Sequence, residues 1–310
     1  MPISVCIAVD SACDLAASIM RINAVEILPI SVKTQNKTFV DVRDPILTTE
    51  FYKNDLADKN FDAQTRPYTA AEMSTRIEQE LVLKADEVLV MTINSARSEI
   101  FQNVRDAVFV SKPKFRKIRQ QSDKSTSFKI EVFDTGTMFT GQAILAYEAI
   151  RLVKQERLRP AQIVTKLEAI KDRVRAYVLP KDLFFLKNRA SKKGDKSVSW
   201  FSYQVGTLLN VKPIIECYKG ETAASDKVMG FEKGLEKLFD KARAAVRTGL
   251  TINVISKSYA GNLKDIKDTR QYSDFKEFLA NREVPSMLAV MSTTAAINVG
   301  PGAFSIAYAE

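Results

Sequence analysis

The most constraining feature of the sequence is a buried-strand pattern that stops at small polar residues and is followed directly by a helix pattern. Val88–Ile93 is a continuous apolar run rich in β-branched residues, which is typical of a strand buried on both faces of a parallel sheet. Asn94 and Ser95 end this run, and apolar residues at helical spacing follow from near Arg97. A strand that leads directly into a helix predicts an α/β fold.

Two further stretches have the same pattern. Ile3–Val9 ends in Asp10, and Lys129–Phe133 ends in Asp134. Because ligands of open parallel sheets bind beyond the carboxyl ends of the strands, we expect the three polar ends to share one edge. Unpaired N–H groups and helix dipoles would suit an anion there, although each end taken alone is also consistent with an ordinary helix N-cap.

The first half of the chain alternates strand and helix patterns, which predicts a parallel sheet covered by helices on both faces. Glu26–Val32 has the pattern of a second strand, and Thr38–Val40 that of a short extension. Thr48 or Thr49, and further along Thr69, are expected to cap two helices.

The pattern changes after the polar turn at Lys154–Pro160, where strand candidates become frequent. Lys219-Gly220 lies between two of them and predicts a hairpin turn, and a long amphipathic helix pattern begins near Phe231. Hairpins and helical crossovers together imply a mixed sheet. The candidate strands are Ala176–Leu179, Val211–Tyr218, Thr222–Val228, Thr251–Ser256, Met287–Met291 and Ala303–Ala309.

The composition favours binding over catalysis, because the chain contains no histidine. This absence excludes Ser-His-Asp and Cys-His mechanisms and the common histidine sites for zinc and iron. The three cysteines, Cys6, Cys13 and Cys217, are too few and too scattered for a disulfide framework or a metal site, so we expect no metal and a reducing, cytoplasmic environment. No apolar run approaches the length of a membrane span, and residues 1–9 do not have the pattern of a signal peptide.

The net charge of +9 is concentrated in two basic stretches, Ser111–Lys129 and Lys187–Lys196. Such charge is compatible with nucleic acid, a membrane surface or an acidic partner. Neither stretch interleaves aromatic residues in a recognised nucleic-acid module, so solvated loops or helix ends are the favoured interpretation and nucleic-acid binding ranks below it.

The order and spacing of several short motifs along nearly the whole chain are specific when they are taken together. They are Val9-Asp10-Ser11 with Asp14-Leu15, Ile27-Leu28-Pro29-Ile30, Glu50-Phe51-Tyr52, Gln64-Thr65-Arg66-Pro67, Asn94-Ser95 with Ser98, Asp134-Thr135, Gly206-Thr207-Leu208-Leu209 with Lys212-Pro213-Ile214, and Gly300-Pro301-Gly302. In this combination the chain resembles the DegV family, bacterial fatty-acid-binding proteins that serve as the binding subunit of fatty acid kinase.

The resemblance implies an α/β protein of two domains with a ligand cleft between them. Residues 1–158 would form an N-terminal three-layer α/β/α domain around a parallel sheet, and residues 159–310 a C-terminal α/β domain with a mixed six-stranded sheet. A long-chain fatty acid would lie in an apolar tunnel at the cleft as the ligand, without any other cofactor. The protein would be non-catalytic and would present the carboxylate to a separate kinase subunit.

The resemblance also implies which residues contact the carboxylate. Ser95 matches the second serine of a family Ser-Ser segment, and Asn94 stands at the first. Thr65 matches a family serine, Gln64 replaces a threonine, and Asn298 replaces a histidine. Gly300 and Gly302 would form a supporting turn, whose N–H groups are an alternative anion-binding concavity.

The loss of that histidine removes a potential cation from the site. A buried carboxylate without a charged partner is costly, and an amide such as that of Asn298 carries no charge. Arg66 lies within a matching segment, and we hypothesise that it supplies the missing cation as a bidentate partner.

Three further hypotheses complete the interpretation. Large apolar residues near the expected cleft would line the acyl site or belong to the core: Phe184, Phe185, Leu186, Trp200 and Phe201. The basic insertion around Lys192 and Lys193 is a candidate for partner contact. The alternative function is an enzyme acting on an acidic small molecule, with Asp10 or Asp134 as acid or base.

Overall fold

A computed structural model describes residues 3–35, 37–54, 63–124, 127–186 and 210–310. The strands are β1 (Val5–Asp10), β2 (Glu26–Leu28), β3 (Ile30–Thr34), β4 (Thr38–Asp41), β5 (Ala63–Pro67), β6 (Glu87–Thr92), β7 (Lys129–Asp134), β8 (Val174–Leu179), β9 (Val211–Tyr218), β10 (Glu221–Met229), β11 (Ile252–Tyr259), β12 (Ser286–Val290) and β13 (Phe304–Ala309). The helices are α1 (Ala17–Ile22), α2 (Pro45–Asn54), α3 (Ala70–Arg76), α4 (Val82–Lys84), α5 (Ile100–Ser111), α6 (Phe115–Gln121), α7 (Thr140–Gln155), α8 (Pro160–Ile170), α9 (Phe231–Thr248), α10 (Leu263–Lys267), α11 (Arg270–Ala280) and α12 (Thr293–Val299).

The first sheet is parallel, as the sequence predicts. Its strands lie in the order β2-β1-β6-β7, and all its pairings are parallel. Every residue of β6 is buried, which explains the apolar run Val88–Met91 within it. Because β1, β6 and β7 are neighbours and run in the same direction, their carboxyl ends meet at one edge of the sheet.

The predicted second strand is divided by Pro29. Residues 26–28 form β2 of the parallel sheet, whereas residues 30–34 form β3 of a separate antiparallel sheet with the order β4-β3-β5. Proline has no N–H to continue a strand ladder, so the chain leaves one sheet at Pro29 and enters the other. The prediction of a single strand over 26–32 is wrong, and the short strand at 38–40 is confirmed as β4.

The second sheet contains all six predicted strands of the second half, in the order β10-β9-β8-β13-β11-β12. The pairing of β11 with β12 is parallel and the others are antiparallel, so the sheet is mixed. Lys219 and Gly220 form the predicted hairpin turn, and both have positive φ, +50° and +79°. Two consecutive positive φ values match the twist of a tight hairpin.

One helix lies between the two sheets. α7 packs against β1 and β6 on one side and against β8, β11 and β13 on the other, and it is buried around most of its circumference. α8 packs on β6 and β7, and Arg159 at its start forms an ion pair with Glu87. Since α8 belongs by contact to the first sheet, the domain boundary at residue 158 stays a prediction.

The two predicted helix caps have different outcomes. Thr69 caps α3, because its side chain accepts a hydrogen bond from the N–H of Glu72 and the Glu72 carboxylate accepts one in return. Thr48 and Thr49 lie inside α2, which begins at Pro45. Asp44 precedes that proline and accepts hydrogen bonds from the N–H groups of the following turn, so it provides the cap.

The first basic stretch forms helix rather than loop over part of its length, since it contains the end of α5 and all of α6. Most of its charged residues are solvent-exposed, as expected. Arg119 is the exception, with 2% exposure. Its guanidinium donates to the carbonyls of Val82 and Ala85 and forms an ion pair with Asp86, which ties α6 to the start of β6.

Candidate functional site

The strand ends meet at one edge, but their backbone N–H groups are already paired. Asp10 accepts hydrogen bonds from the N–H of Ile93 at 2.5 Å and of Ala12 at 2.9 Å. Asp134 accepts one from Ser95 at 3.2 Å and one from Gly136 at 2.9 Å. These carboxylates therefore occupy several donors of the strand ends, and the anion site expected at this edge stays a prediction.

Asn94 connects the edge of the first sheet to the second half of the chain. Its backbone N–H donates to the Thr137 carbonyl, and its side-chain oxygen accepts the N–H of Ala96 at 2.8 Å. The side-chain amide donates to the Gly220 carbonyl at 2.7 Å, within the β9–β10 hairpin. Asn94 is 2% exposed, so this polar side chain spans the seam between the two sheets. Ser95 follows it as a solvent-exposed residue.

The alternation of β5 separates the predicted site residues into two faces. Thr65 is half-buried, whereas Gln64 and Arg66 are exposed on the opposite face. Arg66 donates two hydrogen bonds to the carboxylate of Glu72, at 2.8 and 2.9 Å. This bidentate pairing raises the pKa of Arg66 and lowers that of Glu72 to about 2. The Arg66 guanidinium was predicted to neutralise a buried carboxylate. It is instead about half exposed and is paired with the surface carboxylate of Glu72.

Asn298 lies on α12, which packs against β5, so the structure places the elements that carry Thr65 and Asn298 side by side. The Asn298 amide donates to the Thr294 carbonyl within the helix at 2.7 Å. The following turn is built by Gly300 and Gly302, with φ of +90° and +74°.

The backbone N–H groups of the two glycines are paired within the protein. That of Gly300 donates to Ala296, and that of Gly302 donates to Ala260, both at 2.7 Å. A Cβ at Gly300 would lie 2.6 Å from the ring of Phe185, so the turn also requires glycine for close packing. The turn interpretation is therefore favoured over the anion-binding concavity.

Asp10 and Asp134, the alternative catalytic residues, act here as backbone acceptors. Burial raises the pKa of Asp10 to about 6. The two backbone N–H bonds and the Gln142 amide act in the opposite direction, because they favour the charged form. Asp10 has 0% exposure, and both of its oxygens accept backbone hydrogen bonds. A carboxylate in this state organises the strand ends and is shielded from solvent by the described residues.

The expected apolar residues are placed only in part. Phe185 is buried and its ring lies edge-on to that of Phe184, with centroids 5.4 Å apart. Both pack against the core that is shared by the two sheets, as does Leu186. Trp200, Phe201, Lys192 and Lys193 lie outside the described residues.

The described residues show neither a metal-binding cluster nor a membrane-spanning helix. No group of three or more cysteine, aspartate or glutamate side chains there is arranged to hold a metal ion. Among the helices that the structure describes, none is long and apolar enough to cross a membrane.

The sequence did not indicate a buried charged cluster at the seam. It consists of Asp14, Asp41, Arg43 and Tyr52 from the first half, all buried, which contact β11, the end of β12 and the start of α12 in the second half. Asp14 belongs to a sequence motif that carries no sign of burial. Asp41 and Arg43 follow a short strand in a polar segment, where nothing in the local pattern distinguishes a buried charge from a solvated one.

Comparison with known proteins identifies the relatives of this chain. The family model described as "Uncharacterised protein, DegV family" matches residues 4–310. A DegV domain-containing protein of Xanthomonas campestris pv. campestris is 34% identical over 303 residues, which cover 98% of this chain and 96% of that relative. The chain belongs to the DegV family. A second DegV domain-containing protein, from Xanthomonas axonopodis pv. citri, is also 34% identical over 98% of this chain.

Solved structures of lipid- and fatty-acid-binding proteins share the fold. A DegV lipid-binding protein from Thermotoga maritima superposes with a TM-score of 0.75 at 20% identity, covering 99% of this chain and 98% of that one. A stearic acid-binding protein from Eubacterium ventriosum superposes with a TM-score of 0.77 at 19% identity, covering 98% of this chain and 97% of that one. The DegV fold assignment made from the sequence is confirmed.

Proposed function

We propose that this DegV protein binds one long-chain fatty acid between its two halves. The carboxylate lies at the carboxyl edge of the first sheet near Ser95, Thr65 and Asn298, and the acyl chain enters the apolar seam. The observation that carries the proposal is the whole-chain match to the DegV family, together with structural neighbours described as lipid- and fatty-acid-binding proteins.

The structure supports this placement in two ways. The elements that carry Thr65 and Asn298 pack together, and Ser95 is an exposed residue that follows the carboxyl end of β6. The buried core also continues across the seam, because it includes residues of β6, α7 and α12 together with Phe185. Apolar surface from both halves suits an acyl chain, since binding buries it without unpaired polar groups.

We assign Arg66 no part in the carboxylate site, because it faces away from Thr65 and is paired with Glu72. The proposed contacts are then neutral hydrogen-bond donors: two hydroxyls and an amide. Such donors favour a charged carboxylate without a cation when several converge on it.

The first test is mass spectrometry of the purified protein, in the native state and after organic extraction. We expect one co-purifying fatty acid per chain. We also expect Ser95→Ala to weaken fatty-acid binding by about tenfold, because a hydrogen bond to a charged group is lost. Ser225→Ala, which removes an exposed hydroxyl on β10, is the matched control and should bind normally. An empty protein that also rejects added fatty acids would contradict the proposal.

We further propose that the protein is non-catalytic and presents the carboxylate to a separate kinase subunit. Two features support this: the Asp10 carboxylate is fully buried, and the chain has no histidine to act as an acid or base. Incubation of the loaded protein with MgATP alone should leave ATP and the fatty acid unchanged. Formation of acyl phosphate by the isolated chain would contradict the non-catalytic role.

A further inference from the structure

The N-terminal turn of α12 is held by two carboxylates from the first half of the chain. The N–H of Ser292 donates to Asp14 at 2.9 Å. The N–H and the hydroxyl of Thr294 donate to one oxygen of Asp41, at 2.8 and 2.9 Å. Asp14 has 0% and Asp41 has 3% exposure, so these hydrogen bonds lie in a dry environment. They also match the positive end of the helix dipole.

Additional contacts fix the same carboxylates. The hydroxyl of Ser258 on β11 donates to Asp14 at 2.6 Å. The Arg43 guanidinium lies 3.6 Å from Asp14 and donates to the carbonyl of Val290 at 3.2 Å, while its backbone N–H donates to Asp41. The cluster therefore connects a loop after β1, the exit of β4, and the segment that leads into α12.

This arrangement is costly to form. Arg43 has φ of +62°, a left-handed conformation that non-glycine residues rarely adopt, and its Nε has no hydrogen-bond partner among the described residues. Burial raises the pKa of Asp14, which means that the folded protein disfavours its charge. Apolar side chains often replace buried ion pairs without loss of stability, so stability alone does not explain why this cluster is present. Orientation is the property that such directional bonds specify.

The element that is oriented carries a residue of the proposed site. α12 spans only Thr293–Val299, so Asn298 lies in the last turn of a helix whose first turn is bonded to Asp14 and Asp41. A rigid helix of two turns transmits the placement of one end to the other.

We propose that Asp14 and Asp41 are positioning residues for ligand recognition. By holding the first turn of α12 they set Asn298 beside β5, and the protein thereby distinguishes a carboxylate from an uncharged head group. This inference rests on the fatty-acid function proposed above.

The test compares two ligands that differ only in the head group. The affinities of a saturated long-chain fatty acid and of the fatty alcohol of the same length are measured by displacement of a fluorescent probe, on wild-type protein and on Asp41→Asn. Asparagine preserves the shape but removes the charge, so the preference for the acid over the alcohol should fall about tenfold. If the role of Asp41 were purely structural, Asp41→Asn would weaken the binding of both ligands equally and leave the ratio of the two affinities unchanged.

A control variant and a double-mutant cycle complete the test. Asp86→Asn removes a carboxylate that is paired with buried Arg119 at the other end of the first sheet, and it should leave the ratio intact. In an Asn298→Ala background, Asp41→Asn should have no further effect on the ratio, because the two residues act through one helix. Independent, additive effects would contradict the inference.

The remaining outcomes separate the two proposals. A wild-type protein that prefers the acid, with an Asp41→Asn variant that keeps that preference, overturns the positioning role alone. A wild-type protein that binds neither ligand overturns the proposed function and the positioning role with it. If Asp41→Asn does not fold, Thr294→Val removes the hydroxyl bond from the side of α12 and should shift the ratio in the same direction.

Discussion

Lys257 is a charged side chain buried within the second half of the chain, with 1% exposure. Its ammonium group donates to the hydroxyl of Ser286 at 2.9 Å and lies 5.0 Å from the ring centre of Tyr272 and 5.6 Å from that of Phe275. Burial, with a smaller contribution from Lys276, lowers its pKa to about 7. Two aromatic faces and one hydroxyl only partly replace the water that the charge has lost.

This residue predicts a pH-dependent stability. The pKa of Lys257 is lower in the folded than in the unfolded state, so the stability contributed by the neutral amine is complete above about pH 10.5 and is lost as the pH falls towards 7. Lys257→Met should therefore be more stable than wild type at pH 7, by about 2 kcal/mol, and this advantage should shrink towards pH 10.5. Urea unfolding at several pH values measures it.

The nearby Lys276 provides the control for this comparison, because it is exposed on α11. Lys276→Met should change the unfolding free energy little at any of these pH values. A Lys257→Met protein that is less stable than wild type at pH 7 would show that the aromatic contacts outweigh the cost of burial.

At the scale of elements, α7 is determined by close approach on both sides. Gly141 lies in its first turn, where a Cβ would be 2.2 Å from the hydroxyl oxygen of Thr137 and 3.0 Å from the Cβ of Ala176 on β8. The glycine thus allows the helix to pack between the two sheets. Alanine normally favours a helix by up to about 1 kcal/mol over glycine. At this position helix propensity therefore favours alanine, whereas the close contacts favour glycine.

We expect packing to dominate. Gly141→Ala should reduce the free energy of unfolding by about 2 kcal/mol, because the added methyl group overpacks a buried seam. Thr137→Ala in the same chain removes the nearest atoms and should restore part of the loss. Thermal and chemical unfolding measure both variants, and a stabilised Gly141→Ala protein would contradict the packing argument.

At the scale of the whole molecule, the proposed ligand connects two sheets that already share a helix and a polar cluster. A fatty acid bound at the proposed seam would contact both halves in the folded state and would be released on unfolding. Ligand binding therefore adds to the stability of the folded protein in proportion to the logarithm of ligand concentration over Kd.

Removal of the ligand should lower the melting temperature. At a free fatty-acid concentration of about 100 times Kd the stabilisation is about 2.7 kcal/mol, and extraction should lower Tm by about 5 °C. Adding the fatty acid back should restore Tm, whereas the fatty alcohol of the same length should restore less. A Tm that is independent of extraction and re-addition would contradict binding at the seam.

The fold was predictable wherever the signal is local. The apolar run of β6 predicts a buried parallel strand, Thr69 predicts a helix start, and Lys219-Gly220 predicts a hairpin, because each depends on neighbours in sequence. The division at Pro29 was predictable in principle, since the proline itself carries the signal. The order of motifs further predicted the DegV family and its fold.

Tertiary structure alone decided which polar groups are paired. The N–H groups of the strand ends bond to Asp10 and Asp134 of neighbouring strands, and the β5 guanidinium of Arg66 bonds to Glu72 rather than facing Thr65. Asp14 and Asp41 contact Ser292 and Thr294 at separations of 278 and 253 residues. Sequence periodicity determines which face of an element is apolar, but a hydrogen bond or ion pair depends on distance and direction between atoms, and only the packed chain sets those.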